Sequence, residues 1–269
     1  MRTAVFQEKI LQYYTQSGRN LPWRTTRDPY AILVSEIMLQ QTQVGRVIPK
    51  YNAFLKVFPT LSAVAHASLA DVLTLWQGLG YNRRAKYLFE LAHVVKNTHD
   101  GIIPSSIDQL RALPGIGYAT ACAIMVYAWN KQCVFVETNI RTVFLYHFFS
   151  NKTDVADTEI LKVVTQTLYK KNPRIWYLAL MDYGNMLKKE KKISNMRSKH
   201  FVKQSRFEGS DRQLRGKILT LLVKNKKIRF THLHTIFHED KKRIQMIVNI
   251  LLKEQLIAVD KDFLQLPHT

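Results

Sequence analysis

Apolar residues recur at helical spacing along nearly the whole chain, and no other feature constrains the fold as strongly. One stripe near the amino terminus consists of Phe6, Ile10, Tyr13 and Tyr14. Glycines and prolines separate further helices, which we predict at roughly 29–41, 44–57, 69–76, 83–97, 105–112, 117–128, 139–149, 157–171 and 174–187. No alternating strand pattern of useful length occurs before about residue 255. The pattern therefore predicts an all-α fold.

The carboxyl-terminal third has a different character. Residues 188–209 are rich in lysine and arginine and poor in large apolar side chains, so we interpret them as a basic, solvated linker. Residues 210–269 carry three short helical patterns and then a hairpin that turns at residues 260–262, and Thr231 is a plausible N-cap for the second helix. This order predicts a small winged helix-turn-helix-like module, whose role is either to grip flanking duplex or to pack against a partner.

The charge balance indicates a polyanionic partner. Forty Lys and Arg residues oppose twenty Asp and Glu residues, a formal net charge of +20. Nucleic acid is favoured over an anionic membrane, because no apolar run is long enough to span a bilayer and the amino terminus does not resemble a signal peptide. Only two cysteines occur, which excludes a disulfide scaffold and a four-cysteine metal site and favours a cytoplasmic location.

Residues 113–117, Leu-Pro-Gly-Ile-Gly, lie between two predicted helices. Glycine allows a tight turn there, and the following helix presents unpaired N–H groups that suit a phosphate. A plain connection between two helices explains the same residues. The high positive charge favours a helix–hairpin–helix grip on DNA.

Two glutamates lie within apolar runs, Glu36 in residues 32–39 and Glu137 in residues 134–140. A carboxyl group among apolar neighbours is costly unless it is paired or has a raised pKa, so both are candidates for acid–base chemistry. The alternative for each is a glutamate on a helix surface.

Residues 78–81, Gly-Leu-Gly-Tyr, precede three basic residues at positions 83, 84 and 86. Tyr81 on such a turn could insert its ring into a base stack while the cations hold phosphates. The alternative is a turn tyrosine above a solvated helix face.

Several motifs in order resemble the MutY-type adenine DNA glycosylases of the helix–hairpin–helix glycosylase superfamily. The resemblance covers about residues 3–187 and rests on the motifs at 21–24 (LPWR), 28–30 (DPY), 35–42 (SEIMLQQT), 58–60 (FPT), 78–81 (GLGY), 113–117 (LPGIG) and 181–184 (MDYG). It implies a six-helix barrel at about 22–128 and a second helical subdomain from 1–21 and 129–187. The target nucleotide would be flipped into the pocket between them.

The resemblance also implies roles for individual residues. Glu36 matches the general acid that protonates adenine N7, and Asn139 matches an asparagine that supports the site. Glu137 stands where the family has an aspartate that stabilises the oxocarbenium-like sugar or traps it covalently. Gln40 and Tyr81 match residues inserted into the duplex. The remaining residues expected to line the base pocket or to contact DNA are Arg24, Tyr118 and Ala119 for the pocket, and Gln41, Thr42, Arg83, Leu113, Gly115, Gly117, Tyr118, Lys241, Lys242 and Arg243 for DNA.

Four departures from the family pattern matter. Glu137 adds a methylene to the expected aspartate. Ala119 replaces the Schiff-base lysine of bifunctional relatives, which implies a monofunctional enzyme. Alanine also leaves position 119 without an accessory polar group, unless Tyr118 substitutes for it from the adjacent position. The iron–sulfur cysteines expected after residue 184 are absent. The large 8-oxoguanine-reading domain does not fit into residues 210–269, although residues 230–232 (Phe-Thr-His) resemble a short loop of that domain.

We therefore expect a monomeric glycosylase that removes adenine opposite 8-oxoguanine or guanine in double-stranded DNA, with no cofactor in the chemical step. A monovalent cation at the hairpin stays open. Two alternatives remain, a glycosylase of the same fold acting on thymine or uracil opposite guanine, and a catalytically weak mismatch-binding protein.

Overall fold

The computed structural model describes residues 2–203 and 206–267, and within them the chain is almost entirely helical. The helices are α1 (Thr3–Ser17), α2 (Pro29–Leu39), α3 (Val44–Val57), α4 (Leu61–Ala65), α5 (Leu69–Trp76), α6 (Arg83–Thr98), α7 (Ile107–Ala112), α8 (Tyr118–Trp129), α9 (Thr138–Phe148), α10 (Asp157–Thr167), α11 (Pro173–Lys189), α12 (Asp211–Asn225), α13 (Leu233–Phe237) and α14 (Lys241–Lys253). Three short strands are β1 (Lys227–Arg229), β2 (Ala258–Asp260) and β3 (Phe263–Gln265). The prediction of an all-α fold with a small carboxyl-terminal module is confirmed.

The first of two compact units contains residues up to 36, residues 104–112 and residues 116–203. Helix α11 packs against α9 and α1, and α8 packs against α7 and α11. An aromatic cluster forms part of its core, where Phe6 meets Phe144 and Trp176 edge-to-face at ring distances of 5.5 and 5.7 Å. Such pairs stabilise a core beyond the area that they bury.

The second unit contains residues 37–103 and 113–115 and the described carboxyl-terminal residues from 206. Helix α6 packs against α4 and α5. Phe54 of α3 and Trp76 of α5 meet edge-to-face with their ring centroids 6.2 Å apart. The three strands form an antiparallel sheet in the order β1-β3-β2, in which Leu264 lies between Ile228 and Val259. The predicted terminal hairpin is β2 and β3, and β1 is an additional strand that the short, charged segment around residue 228 did not indicate.

Several boundaries differ from the sequence-based expectations. Helix α8 is apolar on all sides and packs with α7 and α11 in the first unit, and the expected subdomain boundaries at residues 22 and 128 stay a prediction. Helix α4, only five residues long, was not predicted, and α10 ends at Thr167 rather than 171. Thr231 is not an N-cap, since it lies inside a 3-10 turn that leads into α13.

The expected solvated linker is partly packed. Helix α11 continues through Lys189, and Asn195 is buried and bonded on both sides of its amide. Its Nδ2 donates to the Thr138 carbonyl at 3.0 Å and its Oδ1 accepts from the Thr142 hydroxyl at 2.8 Å. Buried Ser198 pairs with Val155 in an isolated parallel bridge. Most residues of 189–197 are exposed as expected, and the prediction of a solvated segment fails at Asn195 and Ser198, because lysine-rich composition does not reveal the few polar side chains that anchor it. Among the described residues, no helix combines the length and hydropathy needed to cross a membrane.

Candidate active site

Helix α2 of the first unit carries Glu36. The carboxylate of Asp28 accepts the N–H groups of Tyr30 and Ala31 at 3.1 and 3.2 Å, so that the helix begins at Pro29 with its first donors satisfied. Glu36 is the acidic residue of this otherwise apolar helix, and its side chain remains partly accessible. Burial raises the pKa of Glu36 to about 8, and the negative charge of Glu137 adds to the shift. Glu36 therefore holds its proton at neutral pH.

Glu137 reaches the site on an extended segment that Tyr177 of α11 fixes. The Tyr177 hydroxyl donates to the Cys133 carbonyl at 2.8 Å and accepts the Phe135 N–H at 3.4 Å. The ring of Phe135 stacks on the Tyr177 ring at 4.3 Å. These contacts set the residue that caps α9, because the segment ends where the helix begins.

Glu137 is the N-cap of α9. Its Oε1 accepts the N–H groups of Asn139 at 2.7 Å and Ile140 at 3.0 Å. Burial raises the pKa of Glu137, while these two bonds and the positive charges of Lys188 and Arg141 oppose the rise. Both influences on Glu36, by contrast, favour its neutral form. The pair is therefore asymmetric, and the negative charge belongs on Glu137.

Helix α11 brings a lysine that the sequence analysis assigned to the linker. Lys188 Nζ donates to Asn139 Oδ1 at 3.0 Å, and burial lowers the pKa of this lysine. Gly184 makes this possible, since a Cβ at that position would lie 2.3 Å from the Asn139 carbonyl oxygen. The motif at residues 181–184 is the signal that could have found it, because the glycine allows α11 to approach α9 one turn before Lys188.

Tyr127 of α8 is a second residue that sequence reasoning missed. It is 8% exposed. Burial and the negative charges of Glu36 and Glu137 raise its pKa well above the ordinary value. Tyr127 therefore keeps its proton in the field of the two carboxyl groups. The signal was a tyrosine in an otherwise apolar helix.

Arg24, expected to line the base pocket, is engaged in an ion-pair network. Its two terminal nitrogens bond both oxygens of buried Asp182 at 2.7 Å, and Arg19 Nε bonds the same carboxylate at 2.6 Å. The two arginines hold the pKa of Asp182 below its usual range, against the effect of burial. Arg174 Nη2 in turn donates to the carbonyl of Arg24 at 2.9 Å. The network joins the start of the chain to α11.

Tyr118 and Ala119 lie in the first turn of α8. Tyr118 is 48% exposed, with the Arg111 guanidinium 5.8 Å from its ring. A hydrogen bond with Cys122 raises the pKa of the Tyr118 hydroxyl. Ala119 provides no polar group at its position. The structure thus gives Tyr118 partners on α7 and α8, and brings Tyr127 rather than Tyr118 to the two glutamates.

In the second unit, Arg84 joins two segments that carry predicted DNA-inserting residues. It is buried, and its Nη1 donates to the carbonyls of Ile37 and Met38 at 2.7 and 2.8 Å. Its Nη2 donates to the hydroxyl of Thr42 at 2.9 Å and to the carbonyl of Gly80 at 3.1 Å. Burial lowers the pKa of Arg84 to about 10. The expectation that Arg84 holds a phosphate was wrong, because its donors are used to connect the end of α2 to the turn at residues 78–81.

The residues around this connection are more exposed. Tyr81, with a positive φ of 48°, is 36% exposed, and the Arg84 guanidinium lies 5.5 Å from its ring. Gln41 also has a positive φ, 55°, and is exposed, whereas Gln40 is partly buried. The exposed Arg83 donates to the Tyr87 hydroxyl at 2.6 Å.

The hairpin motif forms a sharp turn between α7 and α8. Leu113 is buried, whereas Gly115 is exposed with a φ of 77°. A Cβ on Gly115 would lie 2.7 Å from Cβ of Tyr87, so a larger residue cannot occupy this position without displacement. The exposed Gly117 precedes α8 and, as a glycine, provides no side-chain cap, and phosphate binding at this helix start stays a prediction.

In the carboxyl-terminal module, Lys241 and Lys242 are exposed at the start of α14. Arg243 is not available in the same way. It forms ion pairs with Asp211 at 2.9 Å and Glu239 at 2.7 Å, and donates to the Gly209 carbonyl at 2.6 Å. The expectation that Arg243 contacts DNA does not fit these bonds.

The residues present do not fit an iron–sulfur cluster. The whole chain has two cysteines, Cys122 and Cys133, both buried, whereas such clusters take four. Over residues 2–203 and 206–267, no group of three or more His, Cys, Asp or Glu side chains is placed to hold a metal ion.

Comparisons with known proteins identify the family of the chain. Residues 34–166 match the family of HhH-GPD superfamily base excision DNA repair proteins. The chain is 36% identical over 231 residues to an adenine DNA glycosylase of Mycolicibacterium smegmatis, covering 80% of this chain and 79% of that protein. It is 37% identical over 193 residues to the adenine DNA glycosylase of Buchnera aphidicola, covering 70% of this chain and 54% of the relative. The chain thus spans between about half and four-fifths of these two relatives.

Solved structures show the same fold. A thermostable thymine-DNA glycosylase aligns with a TM-score of 0.62 and 29% identity, covering 68% of this chain and 85% of that one. A trapped covalent complex of endonuclease III with DNA aligns with a TM-score of 0.59 and 17% identity, covering 67% and 85%.

Proposed function

We propose a function on the premise that the chain belongs to the HhH-GPD superfamily of base excision DNA repair proteins and, within it, to the MutY-type adenine DNA glycosylases. It hydrolyses the N-glycosidic bond of adenine that is mispaired with 8-oxoguanine or guanine in double-stranded DNA. The observation that carries this proposal is the asymmetric pair of carboxyl groups. Burial and the charge of Glu137 both raise the pKa of Glu36, to about 8, whereas the rise that burial gives Glu137 is opposed by two backbone N–H donors and by Lys188 and Arg141.

The proposed reaction uses the two glutamates in opposite protonation states. Glu36 donates its proton to N7 of a flipped adenine, so that the base leaves with the electron pair of the C1′–N9 bond. The anionic Glu137 stabilises the positive charge that develops at C1′. A water molecule then adds to C1′ and releases a proton, which leaves an abasic site. The arrangement parallels glycoside hydrolysis, in which one carboxyl group protonates the leaving group and the other faces the cation.

The neighbours of Glu137 support this charge distribution. The α9 backbone donors and Lys188 favour its anion, and Asn139 is held between Lys188 and the start of α9. Because Ala119 offers no amine, we propose hydrolysis without strand cleavage, a monofunctional reaction.

In this proposal the second unit binds duplex DNA. Tyr81 and Gln40 enter the duplex beside the lesion. Arg84 holds the two segments that carry them through its hydrogen bonds to the carbonyls of Met38 and Gly80. The exposed Gln41, Arg83 and hairpin glycines contact the backbone. We further propose that the enzyme acts as a monomer in the cytoplasm, without a cofactor in the chemical step and with the hairpin as a place for a monovalent cation.

Base release from a panel of labelled duplexes tests the proposal. Duplexes with A:8-oxoG, A:G, T:G or U:G are incubated with the protein, and alkali then reveals abasic sites. We expect cleavage of the adenine strands, no cleavage with Glu36→Gln, and no release of 7-deazaadenine, which lacks N7. Release of 7-deazaadenine at the adenine rate would contradict protonation at N7.

A second candidate is the removal of thymine or uracil opposite guanine. The alignment with a thymine-DNA glycosylase favours it, as do the departures at Glu137 and Ala119. Cleavage of the T:G or U:G duplexes alone would select this candidate. Tight binding without abasic sites would instead indicate a mismatch-binding protein.

A further inference from the structure

We propose that α14 is a recognition helix that binds the major groove of intact duplex DNA beside the lesion, and that it favours A·T pairs. The helix follows α13 after a three-residue turn, His238–Asp240, in which His238 has a positive φ of 52°. Asp240 caps α14 by accepting the N–H groups of Lys242 and Arg243 at 2.8 and 3.2 Å. Two helices joined by so short a turn form a helix-turn-helix, whose second helix enters the major groove.

One face of α14 is buried and the other is exposed. The buried face is Ile244, Ile247, Val248 and Leu251. The exposed face is Lys241, Lys242, Gln245, Met246, Asn249 and Lys253. An open groove of about 820 Å³ runs along the exposed face, and its lining contains three lysines and no acidic residue. The face is therefore complementary to a polyanion.

Three acidic residues near this face are paired with arginines, whereas Asp240 caps the helix. Arg243 binds Asp211 and Glu239. Arg215 forms an ion pair with Glu254 at the end of the same helix. Because arginines form ion pairs with Asp211, Glu239 and Glu254, these acids do not compensate the positive charge of the lysines on the exposed face.

The amide side chains of the face fit the edge of adenine. Gln245 Nε2 donates to Asn249 Oδ1 at 2.8 Å, one helical turn away. Beyond this bond, Gln245 keeps its amide oxygen and one N–H group, and Asn249 keeps both N–H groups. The oxygen and an N–H group of Gln245 match the N6 donor and N7 acceptor of adenine. Met246 beside them is 45% exposed and suits the methyl group of thymine. An acidic peptide would use the lysines but would not require this amide pair.

The module is attached to the turn that carries Tyr81, within the same unit. Arg212 Nη1 donates to the Tyr81 hydroxyl at 3.0 Å, and the Thr220 hydroxyl donates to Gln77 Oε1 at 2.6 Å. Lys86 Nζ donates to Gln255 Oε1 at 3.0 Å. These bonds place α12 beside the tyrosine that the proposed function inserts into DNA, so that α14 has the same duplex within its reach.

Binding of the full chain to undamaged 30-base-pair duplexes, measured by fluorescence anisotropy between 50 and 200 mM salt, tests this proposal. The triple variant K241A/K242A/K253A should bind at least about tenfold more weakly, and its logarithmic salt slope should fall by about 2 to 3. The matched control K9A/K56A/K162A removes three exposed helix lysines on α1, α3 and α10 and should change affinity less than about threefold. Equal losses in the two triple variants, or no loss in the α14 variant, would overturn the proposal.

Sequence readout has its own variant. Q245A/N249A should lose a preference of about fivefold or more for A·T over G·C flanks while keeping its affinity for G·C flanks. A wild-type chain without any flank preference would refute the readout. The proposal rests on the proposed function, which makes duplex DNA the ligand. The probe is undamaged DNA, so a chain that excises no base still gives a binding result.

Discussion

Replacing Glu36 with glutamine should stabilise the protein at alkaline pH while abolishing catalysis. A carboxyl group whose pKa is higher in the folded state binds its proton more tightly there. Its favourable contribution is therefore complete below the unfolded value and is lost as the pH rises through the folded value. For Glu36 these values are 4.5 and about 8.

The size of the effect follows from this interval. Each pKa unit corresponds to about 1.4 kcal/mol, so the wild type should lose stability relative to the variant by that amount per pH unit between about 5 and 8. Over the whole interval from 4.5 to about 8, the loss amounts to about 5 kcal/mol. This total is an upper limit, because Glu36 remains partly accessible to water. Glutamine keeps the shape of the protonated side chain and carries no charge, so it isolates the ionisation.

Urea unfolding at pH 5.5, 7 and 9 measures this difference through tryptophan fluorescence, since Trp23, Trp76 and Trp176 are buried. Glu8→Gln, which removes an exposed carboxyl group of α1, is the matched control and should leave the free energy of unfolding unchanged at each pH. If the wild type and Glu36→Gln differ equally at pH 5.5 and pH 9, the account of Glu36 is refuted.

Three further predictions concern the surroundings of the pair. Glu137→Asp should retain the cap of α9 and give an equal or faster single-turnover rate, so a loss above about tenfold would show a site built around the longer side chain. Lys188→Met should shift the acidic limb of the pH–rate profile to higher pH, because the lysine favours ionised Glu137. Lys189→Met is the control, and a lower rate of Lys188→Met without a shift of the profile would contradict this role. Asp182→Asn should reduce the free energy of unfolding at pH 7 by about 3–5 kcal/mol, because it leaves Arg24 without its buried partner, and calorimetry finding less than about 1 kcal/mol would contradict this.

Much of the helical fold could be predicted from local signals. Helix α2 shows why, since its apolar run, the Asp28 cap and Pro29 are adjacent in sequence. The same run made Glu36 conspicuous, because a single acid among apolar residues must have an unusual environment. The turn at Gly115 was equally visible, since its positive φ needs glycine.

The rest depended on contacts between distant segments. Arg83 and Arg84 look alike in sequence, but only Arg84 finds carbonyl acceptors at residues 37, 38 and 80 and becomes buried. Lys188 looked like the first residue of a basic linker, and only the close approach at Gly184 brings it to Asn139. In each case the tertiary acceptor determines the role of the cation, and composition does not indicate that acceptor.

The pH dependence of single-turnover adenine release tests the central claim most directly. With an A:8-oxoG duplex and saturating protein between pH 5.5 and 10, the rate should fall about tenfold per unit above an apparent pKa near 8, as Glu36 loses its proton. Glu36→Gln should show no measurable release at any pH. A rate that stays constant or rises between pH 7 and 10, or a Glu36→Gln variant that retains the wild-type rate, would contradict the claim that Glu36 protonates the leaving base.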